Sequence, residues 1–459
     1  MWLPHLPTDG TPIFQQILAA LERSISDGVL QPGDQLPPQR TLAEKLGVSV
    51  GTVTRAYEEA DRRGLTIGHV GRGTFIARAH EIDSIRTNSP CIDLSLNIPP
   101  MVAAERLLVE SWGKVRRRHD FLEALNYAPI EGLPQHRRLV ATWLTQSAGV
   151  ESVEPQRIVV TGGAQASMDL VFQHLCKPGD AILAEECTFT GMRALSRYRG
   201  YRVLPVAMDH EGILPDSLAA VAKASGARVL YTMPTLQNPT AGILSLSRRK
   251  EIIRVARRQK LTIVEDDVYA VYVDRRIAAP PLINLAPEIT YYVSGLSKSL
   301  APGLRTGFTV APGAAEAAAL AVGIRACCFS AQSMGLLIAQ QAIEDGAAEQ
   351  IIRENRRLLR TRGQALRAVL GLPPQKPGVD SPHVWWPAPE VEARQLEARL
   401  LSENVRVMGV AESVLDPSRG FGLRFCIGAT RRDTDFERAV SIVKRAVAQA
   451  GNLALRAVV

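Results

Sequence analysis

The stretch Ser294-Gly295-Leu296-Ser297-Lys298-Ser299-Leu300-Ala301-Pro302-Gly303-Leu304-Arg305 follows an apolar run and sets one lysine between two hydroxyls, with a guanidinium seven residues on. An amine held in such a place can form a Schiff base with a carbonyl carbon. Complementary groups stand upstream: Glu265-Asp266-Asp267-Val268-Tyr269 ends a second apolar run in carboxylates and a phenol, and Pro234-Thr235-Leu236-Gln237-Asn238-Pro239-Thr240 offers an amide. Thr161-Gly162-Gly163-Ala164-Gln165 lies between a strand pattern and a helix pattern, so the backbone amides of Gly163, Ala164 and Gln165 can cradle an anion at a helix N-terminus, with Ser297 and Arg305 completing the cradle. A Schiff-base lysine, an acid, polar donors and a phosphate cradle form the set that pyridoxal 5'-phosphate requires, the acid keeping the ring nitrogen charged and so strengthening the ring as an electron sink. Asp266 and Asp267 compete for the acid's place; adjacent side chains diverge at a strand end, so only one can face the ring.

Those groups need a scaffold that brings distant segments together. From Arg157 onward, short apolar runs (Ile158-Val160, Ala181-Ala184, Arg228-Tyr231, Thr262-Val264, Thr290-Val293) alternate with helical patterns, and each precedes a polar loop. This predicts an α/β domain whose ligand lies at the C-terminal ends of its strands. Residues beyond about 370 mix strands and helices and predict a smaller C-terminal domain.

The lysine segment resembles the signature of class I/II aminotransferases, of fold type I, and the matches run over roughly residues 93–445. The resemblance implies that Lys298 carries the cofactor and acts in catalysis. It further implies that Asp266 pairs the ring nitrogen, that Tyr269 and Asn238 bind the phenolic oxygen, and that Phe189 stacks on the ring face. Tyr127 matches the tyrosine that reaches the phosphate of a neighbouring subunit, which implies a homodimer. Arg424, in Leu423-Arg424-Phe425, matches the arginine that forks a substrate carboxylate. Family members often have a hydroxyl residue three before the lysine; this chain has Gly295. His383, Trp385 and Trp386 are candidates for shaping an effector pocket, although a Trp pair serves a core equally well.

Residues 11–78 read differently. An apolar helical face (Ile13, Ile17, Leu21, Ile25) leads through a Gly/Pro turn to two short helical patterns broken at Leu46-Gly47-Val48-Ser49, with Ser49 suited to cap the second. Two short strand patterns around a Gly-rich tip follow. This is winged helix-turn-helix punctuation, and the string from Gly33 to Ala43 with Gly71-Arg72-Gly73-Thr74-Phe75 resembles the GntR-type winged helix. The second helix of such a unit enters the major groove, which makes Arg40, Ser49, Thr52, Thr54, Arg55, His69, Arg72 and Gly73 the candidates for operator contact. Val50 and Thr54 stand where many relatives carry arginine.

The expected division is a DNA-binding domain over 11–78, a linker over 79–92, a large cofactor-binding domain over 93–370 and a small domain over 371–459. That order resembles the MocR/GabR regulators. It implies a transcription regulator that senses an amine or amino-acid effector through aldimine exchange at Lys298, partnered by double-stranded operator DNA. The alternative is a working aminotransferase with an accessory DNA-binding domain. A formal charge of +8 and pI near 9.3 permit a polyanionic partner. The arginines 353, 356, 357, 360 and 362 form a basic helix that either extends the DNA path or faces solvent or a second subunit. Six cysteines without C-x-x-C spacing and eight scattered histidines argue against a disulfide framework or a metal site, and the absence of a leader-like or spanning apolar stretch predicts a cytoplasmic location.

Overall fold

The computed structural model describes residues 2–4, 6, 12–27, 29–31, 33–62, 65–69, 73–76, 91–151, 153–409, 414–415 and 422–456. The chain divides into two compact units, Met1–Cys91 and Ile92–Val459.

In the first unit, α1 (Ile13–Ser26), α2 (Gln39–Leu46) and α3 (Val50–Arg62) precede an antiparallel hairpin of β1 (Thr66–His69) and β2 (Gly73–Ile76). The apolar stripe of α1 is buried at Ile17, Leu18 and Leu21 against Leu36, Leu42, Val53, Ala60 and Ile76. Burying each such Leu or Ile contributes about 1.5–3 kcal/mol. Gly47 ends α2 with φ +66, a left-handed turn natural to glycine. Ser49 starts α3, its Oγ accepting from the Thr52 amide at 3.2 Å. The Tyr57 hydroxyl of α3 donates to the Pro37 carbonyl at 2.9 Å, tying α3 to the approach of α2.

The second unit is built on a seven-stranded sheet: β4 (Ile158–Thr161), β5 (Ala181–Glu185), β6 (Arg202–Val206), β7 (Val229–Thr232), β8 (Thr262–Asp266), β9 (Thr290–Gly295) and β10 (Gly307–Val310), in the spatial order β4-β10-β9-β8-β7-β5-β6. β10 runs antiparallel to both of its neighbours, and the other pairings in this sheet are parallel. Helices cover both faces of a parallel sheet, so its strands read as near-continuous apolar runs, and β4, β5, β7 and β9 are buried at every position. The arrangement gathers Thr161, Glu185, Thr232, Asp266 and Gly295 along one sheet edge. There α4 (Ala164–Leu175) crosses so closely that a Cβ on Gly307 would lie 2.2 Å from the Gly163 carbonyl carbon.

Further elements complete the unit. β3 (Ile92–Asp93), at its start, pairs in parallel with β12 (Val405–Arg406), and β11 (His383–Pro387) pairs antiparallel with β13 (Gly422–Cys426), opposing Trp385 to Arg424. The long helix α5 (Ala347–Val369) carries the basic residues singled out above, and most of them are engaged within the unit. Arg356 and Arg360 both bond the fully buried carboxylate of Asp380, at 2.7 and 2.8 Å. Arg362, itself buried, holds Asp433 at 2.8 Å and the carbonyls of Ile427 and Thr430. A buried carboxylate and loop carbonyl groups hold these three cations, with Arg360 half exposed above Asp380. Among the described residues no helix is long and apolar enough to cross a membrane.

Candidate cofactor site and DNA-reading surface

At the C-terminal edge of the sheet a cavity of about 200 Å³ is lined by Ala164, Gln165, Phe189, Asn238, Asp266, Tyr269, Ser297, Lys298 and Arg305, together with Met168, Met233, Val268 and Gly295. Segments scattered over more than a hundred residues thus converge because every strand end opens onto the same edge. Gly163, just outside this lining, has φ +113, and a Cβ there would meet the Arg305 guanidinium at 2.8 Å. Arg305 itself bonds the Gly162 carbonyl at 3.0 Å. Gly295 faces a similar limit: a Cβ would lie 2.7 Å from the Thr306 carbonyl oxygen, so the β9–β10 approach leaves no room for a side chain there. Gly191 likewise leaves room for the Phe189 ring, which a Cβ would approach to 2.4 Å.

The carboxylates at the end of β8 part company. Asp266 lines the cavity and accepts from the Tyr231 hydroxyl at 2.8 Å, whereas Asp267 accepts from Tyr292 at 3.1 Å and is absent from the lining. Glu265 points away from the cavity too, capping the amides of Leu282 and Ile283 with the buried Arg249 3.9 Å off. Burial pushes the Asp266 carboxyl up to about 7, with the neighbouring acids Asp267 and Glu185 adding to the rise and the Tyr231 hydroxyl opposing it. Its Oδ1 is buried without a hydrogen-bond partner.

Lys298 is partly covered, its Nζ donating to the Asn97 carbonyl, and burial lowers its ammonium to about 8. The Tyr272 hydroxyl grips the Lys298 carbonyl at 2.5 Å. Arg424 is buried beside the cavity: Nη1 donates to Asn238 Oδ1 at 2.6 Å and Nη2 to the Ser95 carbonyl at 2.7 Å, while Nε has no partner. His383 is buried against the Tyr269 ring, centroids 5.5 Å apart. Trp385 and Trp386 are half-buried on β11 and absent from the lining. Tyr127 lies apart from the lining, 75% exposed, with its ring edge-on to Phe329 at 5.0 Å. Sequence reasoning missed Asn97, Ser95 and Tyr231. Asn97 and Lys298 are 201 positions apart, and no local motif marks either contact.

The residues fit pyridoxal phosphate. A buried carboxylate oxygen without a partner matches a protonated ring nitrogen, the amide and phenol match a phenolic oxygen, and the N-terminus of α4 with Arg305 matches a phosphate. Lys298 would hold the cofactor covalently.

On the first unit, Arg40 and Ser49 stand at the start of α2 and ahead of α3. Thr52 is half-buried, its hydroxyl 2.8 Å from that of Ser49. Thr54 instead turns inward, donating to Gln39 Oε1 at 2.8 Å, and the Arg55 guanidinium lies 4.1 Å over the Phe14 ring of α1. Thr54 is half-buried and Arg55 exposed, so each keeps a face on the surface besides these contacts. Gly73 opens β2 with φ +107, opposite the backbone of His69. Arg72 lies outside the described residues.

Residues 89–443 match the family described as aminotransferase class I and II, and residues 13–76 match bacterial regulatory proteins of the gntR family. The chain is 28% identical to the uncharacterized HTH-type transcriptional regulator YdeF of Bacillus subtilis, over 68% of this chain and 67% of that one. It is 29% identical to the HTH-type pyridoxine biosynthesis transcriptional regulator PdxR of Corynebacterium glutamicum, over 67% of each. Among solved structures it resembles LysN, an alpha-aminoadipate aminotransferase of Thermus thermophilus complexed with N-(5'-phosphopyridoxyl)-L-leucine, with TM-score 0.69 and 27% identity over 81% of this chain and 95% of that one. Pyridoxal phosphate is the cofactor this fold implies. The chain belongs to the aminotransferase class I and II family and carries an N-terminal segment of the gntR family of bacterial regulators, which is the make-up of the MocR type of transcription regulator.

Proposed function

We propose that the chain is an effector-sensing transcription regulator in which an amine or amino acid exchanges for the Lys298 amine at the cofactor, and the change is passed to a winged helix on operator DNA. The supporting observation is the convergence of Lys298, Asp266, Tyr269 and Asn238 on one cavity with Arg424 bonded to Asn238. When bound, pyridoxal phosphate supplies an electrophilic carbon open to amines and an electron-withdrawing ring. Desolvation keeps part of the Lys298 population neutral near pH 8, and so nucleophilic. Asp266 would hold positive charge on the ring nitrogen, and Gly163, Ala164, Gln165, Ser297 and Arg305 would hold the phosphate. Arg424 presents a guanidinium fork to an effector carboxylate.

A ligand shifts a protein only through a free-energy difference between two states. Arg424 Nη2 and Lys298 Nζ both end on carbonyls of the Ser95–Asn97 stretch, so an effector that takes both groups breaks two bonds to a segment only a few residues beyond the linker of 79–92. The working division is a reader over 11–78, a large domain over 93–370 and a small domain over 371–459, in a cytoplasmic homodimer. Exposed Tyr127 with Phe329 suits a place at the subunit interface. Arg40, Ser49, Thr52, Thr54, Arg55, His69, Arg72 and Gly73 are the operator contacts.

The test is titration of an operator complex with amino acids and amines, comparing wild type with Lys298→Ala. An effector-dependent change in DNA affinity that disappears in the variant supports exchange at Lys298; a full-sized response in the variant defeats it. Repeated conversion of an amino donor and a keto acceptor would instead favour a working transaminase.

A further inference from the structure

A chain of hydrogen bonds reaches Tyr269 from outside the cavity. His383 Nε2 lies 3.1 Å from the Gln237 carbonyl oxygen, and its Nδ1 lies 3.2 Å from Asn97 Nδ2. Asn97 Nδ2 also lies 2.8 Å from the Tyr269 hydroxyl. A carbonyl only accepts, so His383 Nε2 carries the ring hydrogen and Nδ1 offers a lone pair. Burial lowers His383 to about 3, with the Arg424 and Lys298 cations adding to the drop, so the ring is neutral and this tautomer is the only consistent one. The Asn97 amide must then place its NH₂ between the two rings, one hydrogen toward His383 and the other toward Tyr269. The opposite amide orientation would set the Asn97 oxygen, an acceptor, against the lone pair of Nδ1.

The consequence falls on Tyr269. Its oxygen already accepts from Asn97, and its own hydrogen has no acceptor among the described residues, while the side chain lines the cavity. We infer that His383 and Asn97 are positioning residues whose relay, anchored on the Gln237 carbonyl, fixes Tyr269 as a hydrogen-bond donor into the cofactor cavity. The inference rests on pyridoxal phosphate occupying that cavity with its phenolic oxygen near Tyr269. A phenol that donates lowers the proton affinity of the chromophore by stabilising negative charge on that oxygen; a phenol that donates to residue 97 instead does not. The charged and titratable groups facing Tyr269 are Arg424, Cys426, Asp266, Tyr272 and the neutral His383, and the first four are unchanged in the variants below.

The experiment titrates the visible absorbance of the cofactor-loaded protein against pH for wild type, Asn97→Asp, His383→Phe, Tyr269→Phe and both double variants with Tyr269→Phe. A carboxylate at 97 can only accept, and loss of the imidazole frees the Asn97 amide to turn its oxygen toward Tyr269. Each single variant should raise the apparent pKa of the band, by about one pH unit. In the Tyr269→Phe background the His383→Phe shift should vanish and the Asn97→Asp shift should shrink to what a bare negative charge produces. Equal shifts with and without the Tyr269 hydroxyl overturn the relay, as does no shift in either single variant. If one of the two variants fails to fold, the other completes its own cycle with Tyr269→Phe. Wild-type protein that takes up no pyridoxal phosphate overturns the cofactor assignment and this inference with it; loaded protein without coupling overturns the relay alone.

Discussion

Arg424 Nη1 donates to Asn238 Oδ1 at 2.6 Å, so the side chain proposed to take an effector carboxylate is bonded to the amide proposed to meet the cofactor's ring oxygen. An effector that recruits the guanidinium therefore competes with a contact at the ring. On the proposed function, the two roles are coupled through this one bond.

Arg424→Ala should leave cofactor uptake and operator affinity in place and raise the effector concentration for half-response by about 10–100-fold, the worth of a charged hydrogen-bond pair. Arg424→Lys should recover little, because an ammonium cannot replace the fork. An effector without a carboxylate would show no loss in either variant.

Borohydride reduction of the loaded protein should fix pyridoxyl to Lys298, read by peptide mass. Asp266→Asn should weaken cofactor binding by about tenfold and lower the visible band, whereas Asp267→Asn should leave the band in place and show its effect in thermal unfolding, since Asp267 bonds Tyr292 and not the cavity. A label on another lysine, or reversed effects of the two Asp variants, would reassign the site.

Lys298 also carries a stability cost. Its folded-state pKa of about 8 lies below the unfolded value, so between those two pH values the unfolded chain binds more protons and stability rises with pH. Below pH 8 the penalty is fully present. Lys298→Met should therefore stabilise cofactor-free protein near pH 7 by about 1–2 kcal/mol, with the gain shrinking as pH climbs past 8, measured by urea unfolding at several pH values. The rate of cofactor uptake by wild type should rise over the same pH range as the amine becomes neutral.

On the reader, Arg40→Ala and Arg72→Ala should each weaken operator binding and lower the salt slope by about one for every phosphate no longer neutralised. Thr54→Ala should act otherwise. Its hydroxyl bonds Gln39, so the change should cost about 1 kcal/mol of stability in the winged helix and leave the salt slope unaltered. Fluorescence anisotropy over a salt series, paired with thermal melts, separates the two behaviours.

The amino-acid sequence alone determines what local physics can carry. The left-handed end of α2 at Gly47, the Ser49 cap, the buried apolar runs of β4, β5, β7 and β9, and the Gly163 turn into α4 all follow from residue type and spacing over a few positions. The lysine segment and its upstream partners are legible for the same reason, because each sits in a contiguous motif. Tertiary structure decides the rest. Which of Asp266 and Asp267 meets the cavity depends on the β8 backbone and on Tyr231 and Tyr292 from neighbouring strands. The hydrogen bond of Thr54 to Gln39 and the placement of the Arg55 guanidinium over Phe14 come from the packing of α1, α2 and α3 and are invisible in the local motif. Arg356, Arg360 and Arg362 of α5 look like a solvated charge run until Asp380 and Asp433 meet them from farther along the chain. Asn97 has no motif of its own, and its meaning comes from Tyr269, His383 and Lys298 folding around it. Pairings of this kind depend on close approach between segments distant in the chain, which is set by sheet order and packing and leaves no periodic trace in the sequence.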